Sequence, residues 1–423
     1  MRVEKVTSKQ NDSSNPEEID LKPLYARSVV NSLGLGMVNP FLSPYAVELG
    51  ASPSEMGWFQ SLSNLSNNVM QVIWGELSDR FGRRVPFIVL GGVITAVLWL
   101  PMIFVANATQ LIFLIAIQAL LGSMATPAWT ALIGDLVPSL KLGRTSAAIN
   151  LWASIGSLIA TLISGTVMDV VGGTLHQMFF IPFTVAMICG LVSSLVMLRV
   201  REKRRKNFSL KRSFTSEIAE IFTHAKKSPD FMRYCMAGAT FALFMSISWP
   251  LFSITMIKVL KASMLDIALL SVIQMVITII FQKRFGKLAD TIGRKPLLVL
   301  FRFSLVTVPL AYAFSPNVYV LMGISTFWGV SMAMGQASMT AYLLDVTPEE
   351  QRGRFTAFYN LIIGVTTFIG SLTGGYISDY MIGVFGLVLG LQITYMISMI
   401  GRAVGASTYL TLKETLKLEK PAY

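Results

Sequence analysis

Charge is scarce in this 423-residue chain: 14% of its positions are Asp, Glu, Lys or Arg, and it has only two cysteines and two histidines. A soluble domain carries about 25% charged residues. A chain this poor in charge, 53% hydrophobic and with a mean hydropathy of +0.61, does not read as soluble. Cys189 and Cys235 fall in or at apolar segments and read as small buried hydrophobes, not as a disulfide or a metal site. No Asp or Glu stands near the middle of any predicted span. Glu48, Asp169 and Asp379 sit at outer ends, while His176 lies in a loop and His224 in the central segment. Proton carriers commonly hold a carboxylate or histidine inside the membrane, so the coupling ion, a proton or none, is left open and no cofactor is expected. A membrane enzyme would need clustered nucleophile and base or metal ligands, and neither cluster exists. Residues 1–23 lack an apolar core, so they are neither signal nor transit peptide; a disordered cytoplasmic tail is expected there.

Apolar runs of roughly 20 residues, the length that crosses a ~30 Å hydrocarbon layer, fill the remainder. The pattern predicts an all-α membrane protein of twelve transmembrane helices. Helix 1 covers 24–47 and helix 2 opens on the capping box Ser52-Pro53-Ser54-Glu55 and ends at Gly75. Helices 3 to 6 cover 85–105, 111–135, 145–171 and 178–198. After helix 7, helices 8 to 12 cover 265–283, 296–314, 317–344, 355–380 and 386–410. In helix 2, Asn64, Asn67, Asn68 and Gln71 recur at i, i+3, i+4, i+7 and line one face with amides. The long loop between helices 6 and 7 carries Arg199, Arg201, Lys203, Arg204, Arg205, Lys206, Lys211 and Arg212. Beyond them Phe214, Ile218, Ile221, Phe222 and Ala225 fall at helical spacing. An amphipathic helix on anionic lipid headgroups is expected there, with a solvated linker as the alternative.

The second half retraces the first. Gly75-Glu76-Leu77-Ser78-Asp79-Arg80-Phe81-Gly82-Arg83-Arg84, a polar segment between two spans, is echoed by Gly286-Lys287-Leu288-Ala289-Asp290-Thr291-Ile292-Gly293-Arg294-Lys295, 211 positions later. Ser263 and Asp266 repeat Ser52 and Glu55. Asp345, Pro348, Gly353, Arg354 and Asn360 repeat Asp135, Pro138, Gly143, Arg144 and Asn150 at 210, as Gly375 and Asp379 repeat Gly165 and Asp169. Six spans per repeat let the copies run parallel, as two pseudo-symmetric six-helix bundles. The implied units are a bundle at 24–198, a basic cytoplasmic linker at 199–230, a second bundle at 231–410 and a tail at 411–423. Basic residues gather in alternate loops, with only Lys258 and Lys261 on the other side. The net charge of +12 is therefore the positive-inside pattern, which puts both termini in the cytoplasm, and not a nucleic-acid face.

The two ten-residue copies, with Asp-x-x-Pro…Gly-Arg at 135–144 and 345–354, resemble the major facilitator superfamily (MFS) of secondary transporters along essentially the whole chain after the tail. Glycines at 75 and 82 permit close approach and a sharp turn, and an ionised Asp79 suits a helix N-terminus. The resemblance implies a cytoplasmic gate formed by Gly75, Asp79, Arg80, Gly82, Arg83, Arg84, Gly286, Asp290, Gly293, Arg294, Asp135, Arg144, Asp345 and Arg354. By it, Asp79 would cap the helix beginning near Phe355, Arg83 would pair with Asp135, and Asp290 would cap the helix beginning near Thr145 when the carrier opens outward. Thr291 and Ile292 replace Arg80 and Phe81 in the second copy, which implies a weaker latch. Helix 5 has only Gly156 and Gly165 where drug/proton antiporter branches are Gly-Pro-rich.

A substrate cavity is expected at mid-bilayer between the halves. Its candidates are Asn31, Asn64, Asn68, Gln118, Trp129, Ser157, Trp249, Gln274, Gln336, Tyr359 and Asn360, with Thr278, Thr367 and Trp328 beside them; each also suits helix–helix contact, except the helix 2 amides, since four exceed what one helix contact needs. Arg27, Arg302 and Arg402 are expected to snorkel to the interface. The reading is a plasma-membrane carrier, functional as a monomer, that moves a small solute by alternating access, with efflux of amphipathic compounds slightly favoured. Uptake of a sugar or other metabolite and a non-transporting sensor are the alternatives.

Overall fold

A computed structural model describes residues 21–200, 202 and 228–416, and these contain helices and no strand. Most of the two tails, and the central segment in which an amphipathic helix is expected, lie outside the described residues. Twelve helical rods follow in order. These are α1 (Lys22–Glu48), α2 (Pro53–Leu65, the π turn Ser66–Met70 and Gln71–Phe81), α3 (Val85–Ile103), α4 (Ala108–Leu136), α5 (Ser139–Val171) and α6 (Leu175–Met197) in the first half. The second half holds α7 (Pro229–Val259), α8 (Met264–Ile292), α9 (Arg294–Phe314), α10 (Val318–Asp345), α11 (Arg352–Phe385) and α12 (Leu387–Thr408). Ten are long and apolar enough to cross a membrane. The other two, α1 and α2, are the rods with Asn31 and Asn39 and with the amide row. They pack against α5 and α6 and against α11 and α4, respectively.

The rods outrun the predicted spans. Hydropathy marks where lipid ends, whereas backbone hydrogen bonding continues past that boundary. The polar segment 75–84, expected as a loop, is therefore helix as far as Phe81, held by a Glu76–Arg80 ion pair one turn apart. Only Gly82 to Arg84 turn, with Gly82 at φ 64°. Its copy is helix to Ile292 and turns at Gly293, φ 104°. These two glycines sit where a Cβ is strained.

Each rod's N-terminal amides must find acceptors. Ser52 and Glu55 close a reciprocal capping box on α2, and Ser263 with Asp266 does the same on α8. Such a cap contributes about 0.5–2 kcal/mol.

The basic loops define one end of the molecule, called the basic end below; the other is the far end. The apolar core divides along that axis. One cluster at the far end joins both halves, from Phe41 and Tyr45 through Phe183 to Leu251, Ala268 and Tyr395. At the basic end there are two separate clusters. Leu24, Ile88, Leu132 and Met197 form one within the first half, and Phe231, Tyr234, Phe301 and Tyr409 belong to the other, within the second. The halves are packed together at the far end and apart at the basic end.

Three arginines depart from expectation. Arg27, Arg302 and Arg402 are 8%, 5% and 1% exposed, so none snorkels to the surface. A bundle interior offers them what water would. Arg402 donates to the Leu305 and Met245 carbonyls at 2.8 and 2.9 Å and to Ser398 and Ser248. Arg302 lies 4.7 Å and 4.8 Å from the ring centres of Phe241 and Tyr409, and Arg27 lies 4.0 Å from that of Trp129.

Candidate functional site

Contact between the halves is densest along two antiparallel helix pairs, α2 with α11 and α5 with α8, and α7 adds contacts with α1 and α2 at the far end. Both seams are built of small residues. A Cβ on Gly375 would lie 2.5 Å from the Pro53 carbonyl, and one on Gly57 would lie 2.9 Å from that of Ser371. In the other pair a Cβ on Gly165 would lie 2.6 Å from Ala268. Gly375 and Gly165 are repeat mates, as are Gly57 and Ala268, so the duplicated sequence builds the same close approach twice.

Both far-end seams finish alike. Asp379, near the end of α11, accepts from the Ser54 amide in the first turn of α2 at 2.9 Å. Asp169, near the end of α5, accepts from the Met264 amide at the start of α8 at 3.1 Å. The positions differ by one residue because Pro53 has no N–H to give. Trp58 and Tyr376 add a 3.2 Å hydrogen bond and Ser61 reaches the Phe368 carbonyl at 2.8 Å.

The basic end is arranged otherwise. Arg84 is buried and pairs with Asp79, with Asp135 at 3.7 Å and with the Ser78 hydroxyl at 2.8 Å. Arg83, expected on Asp135, is exposed instead. The left-handed turn at Gly82 aims the next residue outward and the one after it inward. In the second half it is Arg294 that holds Asp345 at 3.1 Å and Asp290 at 3.6 Å. The Asp290 side chain is 74% exposed, and a Cβ on Gly286, Gly143 or Gly353 would meet nothing within 4 Å. Gly75 has only an ordinary contact, with Pro127. Arg80 pairs with Glu76, and Arg144 and Arg354 are exposed. In this state, then, the motif residues bind within their own halves.

Two acidic residues here escaped sequence reading. Glu202, after α6, accepts from the amides of Arg84 and Val85 (3.0 Å to Val85) at the start of α3. Glu414, after α12, accepts from Arg294 and Lys295 at 3.1 and 3.0 Å at the start of α9. The signal available was their separation of 212 residues, close to the repeat offset.

Between the ends lies the polar middle. Asn68 sits in the π turn of α2, and its side-chain amide donates to the Asn64 carbonyl at 2.9 Å. A Cβ on Gly364 of α11 would lie 2.6 Å from that of Asn68. The Asn64 amide nitrogen is buried without a partner, one turn from Ser61 and from Asn68, both of which meet α11. Mid-helix π turns recur at functional sites, and an orphaned buried amide costs about 1–3 kcal/mol unless another state or a ligand satisfies it. Asn64→Ala is expected to change substrate affinity about 5- to 100-fold, read by ligand-induced thermal shift; identical shifts would remove Asn64 from the site. Asn31, Ser157, Trp249 and Gln274 are half-buried, as is Trp129 beneath Arg27. Gln118 is engaged with the Thr95 carbonyl at 3.1 Å, and Tyr359 stacks on Tyr234 inside the second half. Thr278 bonds the Gly329 carbonyl, Trp328 donates to Thr307, and Thr367 bonds its own helix. Gln336 and Asn360 are exposed. The structure thus gathers Asn64 and Asn68 at the seam and assigns Gln118, Tyr359, Thr278 and Trp328 to packing within a half. No group of three or more potential metal ligands occurs among the described residues.

Comparison with known proteins gives one consistent result. The family model described as Major Facilitator Superfamily matches residues 25–248 and 234–416. The chain is similar to the multidrug resistance protein MdtG of Proteus mirabilis, 27% identical over 82% of this chain and 85% of that protein. It is also similar to the multi-drug resistance efflux pump PmrA homolog of Lactococcus lactis, 25% identical over 90% and 93%. Among solved structures, a bacterial homolog of the human lysosomal transporter Spinster, in an inward-facing and occupied conformation, aligns with a TM-score of 0.73. That alignment is 13% identical and covers 94% of this chain and 97% of the other.

Proposed function

Since the chain belongs to the Major Facilitator Superfamily and is a multi-span membrane transporter of that fold, we propose that it exports small amphipathic molecules across the plasma membrane by alternating access. The observation that carries the reading is the split core: joined at the far end, divided at the basic end. By the positive-inside pattern the basic end is cytoplasmic, so the state described is inward-facing. Export is favoured by the names of the relatives, which are multidrug pumps. It is also favoured by a middle in which amides and apolar side chains, rather than carboxylates, are the available contacts. Asn150 and Asn360 are exposed repeat mates in the basic-end halves of α5 and α11. An amide facing lipid is costly, so both suit walls of the open cleft. The basic run 199–212 suits anionic headgroups, and one polypeptide supplies both halves, which fits a working monomer.

In the outward-facing state Asp79 leaves Arg84 for the N-terminus of α11, and Asp290 reaches that of α5. Charge at a helix N-terminus contributes about 0.3–2 kcal/mol. Asp79→Asn is therefore expected to leave folding intact and to slow transport about 2- to 30-fold in proteoliposomes. An unchanged rate would sink this inner latch. The export reading itself is tested by a ligand thermal-shift screen of amphipathic compounds against sugars and nucleosides, followed by vesicle flux with and without a pH gradient. Shifts by sugars alone would replace export with uptake.

A further inference from the structure

The two far-end aspartates look outward from the same helix pairs that carry the motif aspartates. On α2 and α11, Asp79 lies at the basic end of one rod and Asp379 at the far end of the other; α8 and α5 carry Asp290 and Asp169 in the same way. Each rod of an antiparallel pair thus presents a carboxylate toward its partner's N-terminus, one at each end of the membrane. At the far end both of these contacts are made, Asp379 to Ser54 and Asp169 to Met264. At the basic end the corresponding carboxylates are turned onto arginines of their own halves.

We propose that Asp169 and Asp379 are positioning residues for transport: a duplicated outer latch that holds the inward-facing state and must release for the outward-facing one. Its reciprocity with Asp79 and Asp290 rests on the inner latch proposed above, while its contacts do not. Three features make it more than end packing. The carboxylates bridge the halves and not neighbours within one half. They recur at one repeat offset, together with the glycines one turn earlier, Gly165 and Gly375. They meet first-turn amides whose helices are capped independently by Ser52/Glu55 and Ser263/Asp266. Removal of either aspartate therefore leaves the helix intact and takes away only the bond between halves. A hydrogen bond to a charged acceptor at a helix N-terminus has both Coulombic and directional parts, and both are lost when the seam opens.

The test uses the full-length protein in proteoliposomes, with Cys189 and Cys235 replaced by alanine and spin labels at introduced cysteines. His176→Cys and Val384→Cys report the far end, one in each half; Lys141→Cys and Lys287→Cys report the basic end. All four sites are exposed. Asp169→Ala and Asp379→Ala should each raise the ratio of long to short far-end distances about 5- to 30-fold. The double variant should approach the product of the two, with basic-end distances shortening in step. Lengthening at the far end without shortening at the basic end would mean local loosening and would overturn the proposal, as would unchanged distributions in the double variant. If the alanine variants do not accumulate, Asp→Asn keeps an acceptor oxygen and loses the charge. It should then shift the same distributions in the same direction by less, and no shift there overturns the latch equally. Asp79→Asn is run alongside and should move the populations the opposite way. Its silence alone would remove the inner latch and leave the outer one standing.

Discussion

Gly375→Val is expected to yield a folded protein that transports about 5- to 150-fold more slowly. The added Cβ would lie 2.5 Å from the Pro53 carbonyl oxygen and 3.0 Å from the Ser54 Cα, both of them backbone. No side-chain rotation relieves such contacts, so the seam between α11 and α2 must part. Overpacking of this kind costs about 1–3 kcal/mol, which shifts a two-state equilibrium about 5- to 150-fold. The clash exists only where the halves meet at the far end, so the cost falls on the inward-facing state and not on either bundle. Gly323→Ala on α10, outside both seams, is the matched control. Its Cβ meets nothing within 4 Å, and its rate is expected to stay at the wild-type value. Flux at equal protein loading, with thermal midpoints alongside, reads both. A Gly375→Val variant that transports normally would mean the seam is looser than its geometry.

Arg402→Met is expected to have the largest effect on stability. Its guanidinium lies 1% exposed inside the second half and ties α12 to the α9 carbonyl segment at Leu305 and to Met245 and Ser248 of α7. A methionine fills similar space but withdraws the charged donor from two carbonyls, leaving Leu305 with the Val308 amide at 3.4 Å and Met245 with the Ser248 hydroxyl at 3.2 Å. Each lost bond to the guanidinium is worth about 1–3 kcal/mol. The loss is therefore on the order of 2–6 kcal/mol. Arg402→Lys should recover little of it, because one ammonium cannot span acceptors on three helices as a planar fork does. A fluorescence melt in detergent checks this. An unchanged midpoint for Arg402→Met would show that the four bonds contribute nothing net.

The duplication, the twelve rods and the basic end were legible because each is written in residue type and spacing: apolar runs, one recurring offset, arginines in alternate loops. Rod ends were not. Phe81 and Ile292 end helices well past the apolar runs because backbone hydrogen bonds outside lipid need no apolar side chain. The exchange of Arg83 for Arg84 depends on the left-handed turn at Gly82, a geometry that residue identity permits without specifying which neighbour turns inward. Arg302 and Arg402 were misread because an isolated arginine on an apolar helix belongs at the interface by transfer energy alone. Only the assembled bundle reveals the rings and carbonyls that replace water. Asp169 and Asp379 were visible as repeat mates, and Gly165 and Gly375 with them. Their meeting with Met264 and Ser54 is a relation between halves, which a pattern within one half cannot express. At the polar middle, sequence singled out Asn64 and Asn68 by their shared helix face, and these two stand at the seam. It could not separate them from Gln118 or Tyr359, whose partners come from helices distant in the chain.

The most direct measurement is flux of a fluorescent amphipathic compound through proteoliposomes holding the purified chain, compared among wild type, Asp79→Asn and Gly375→Val. Alternating access between two latched ends predicts saturable flux in the wild type and slower flux in both variants. Asp79→Asn should accumulate with its far end closed and Gly375→Val with its far end open. Wild-type flux that does not saturate, or saturable flux that neither variant slows, would contradict it.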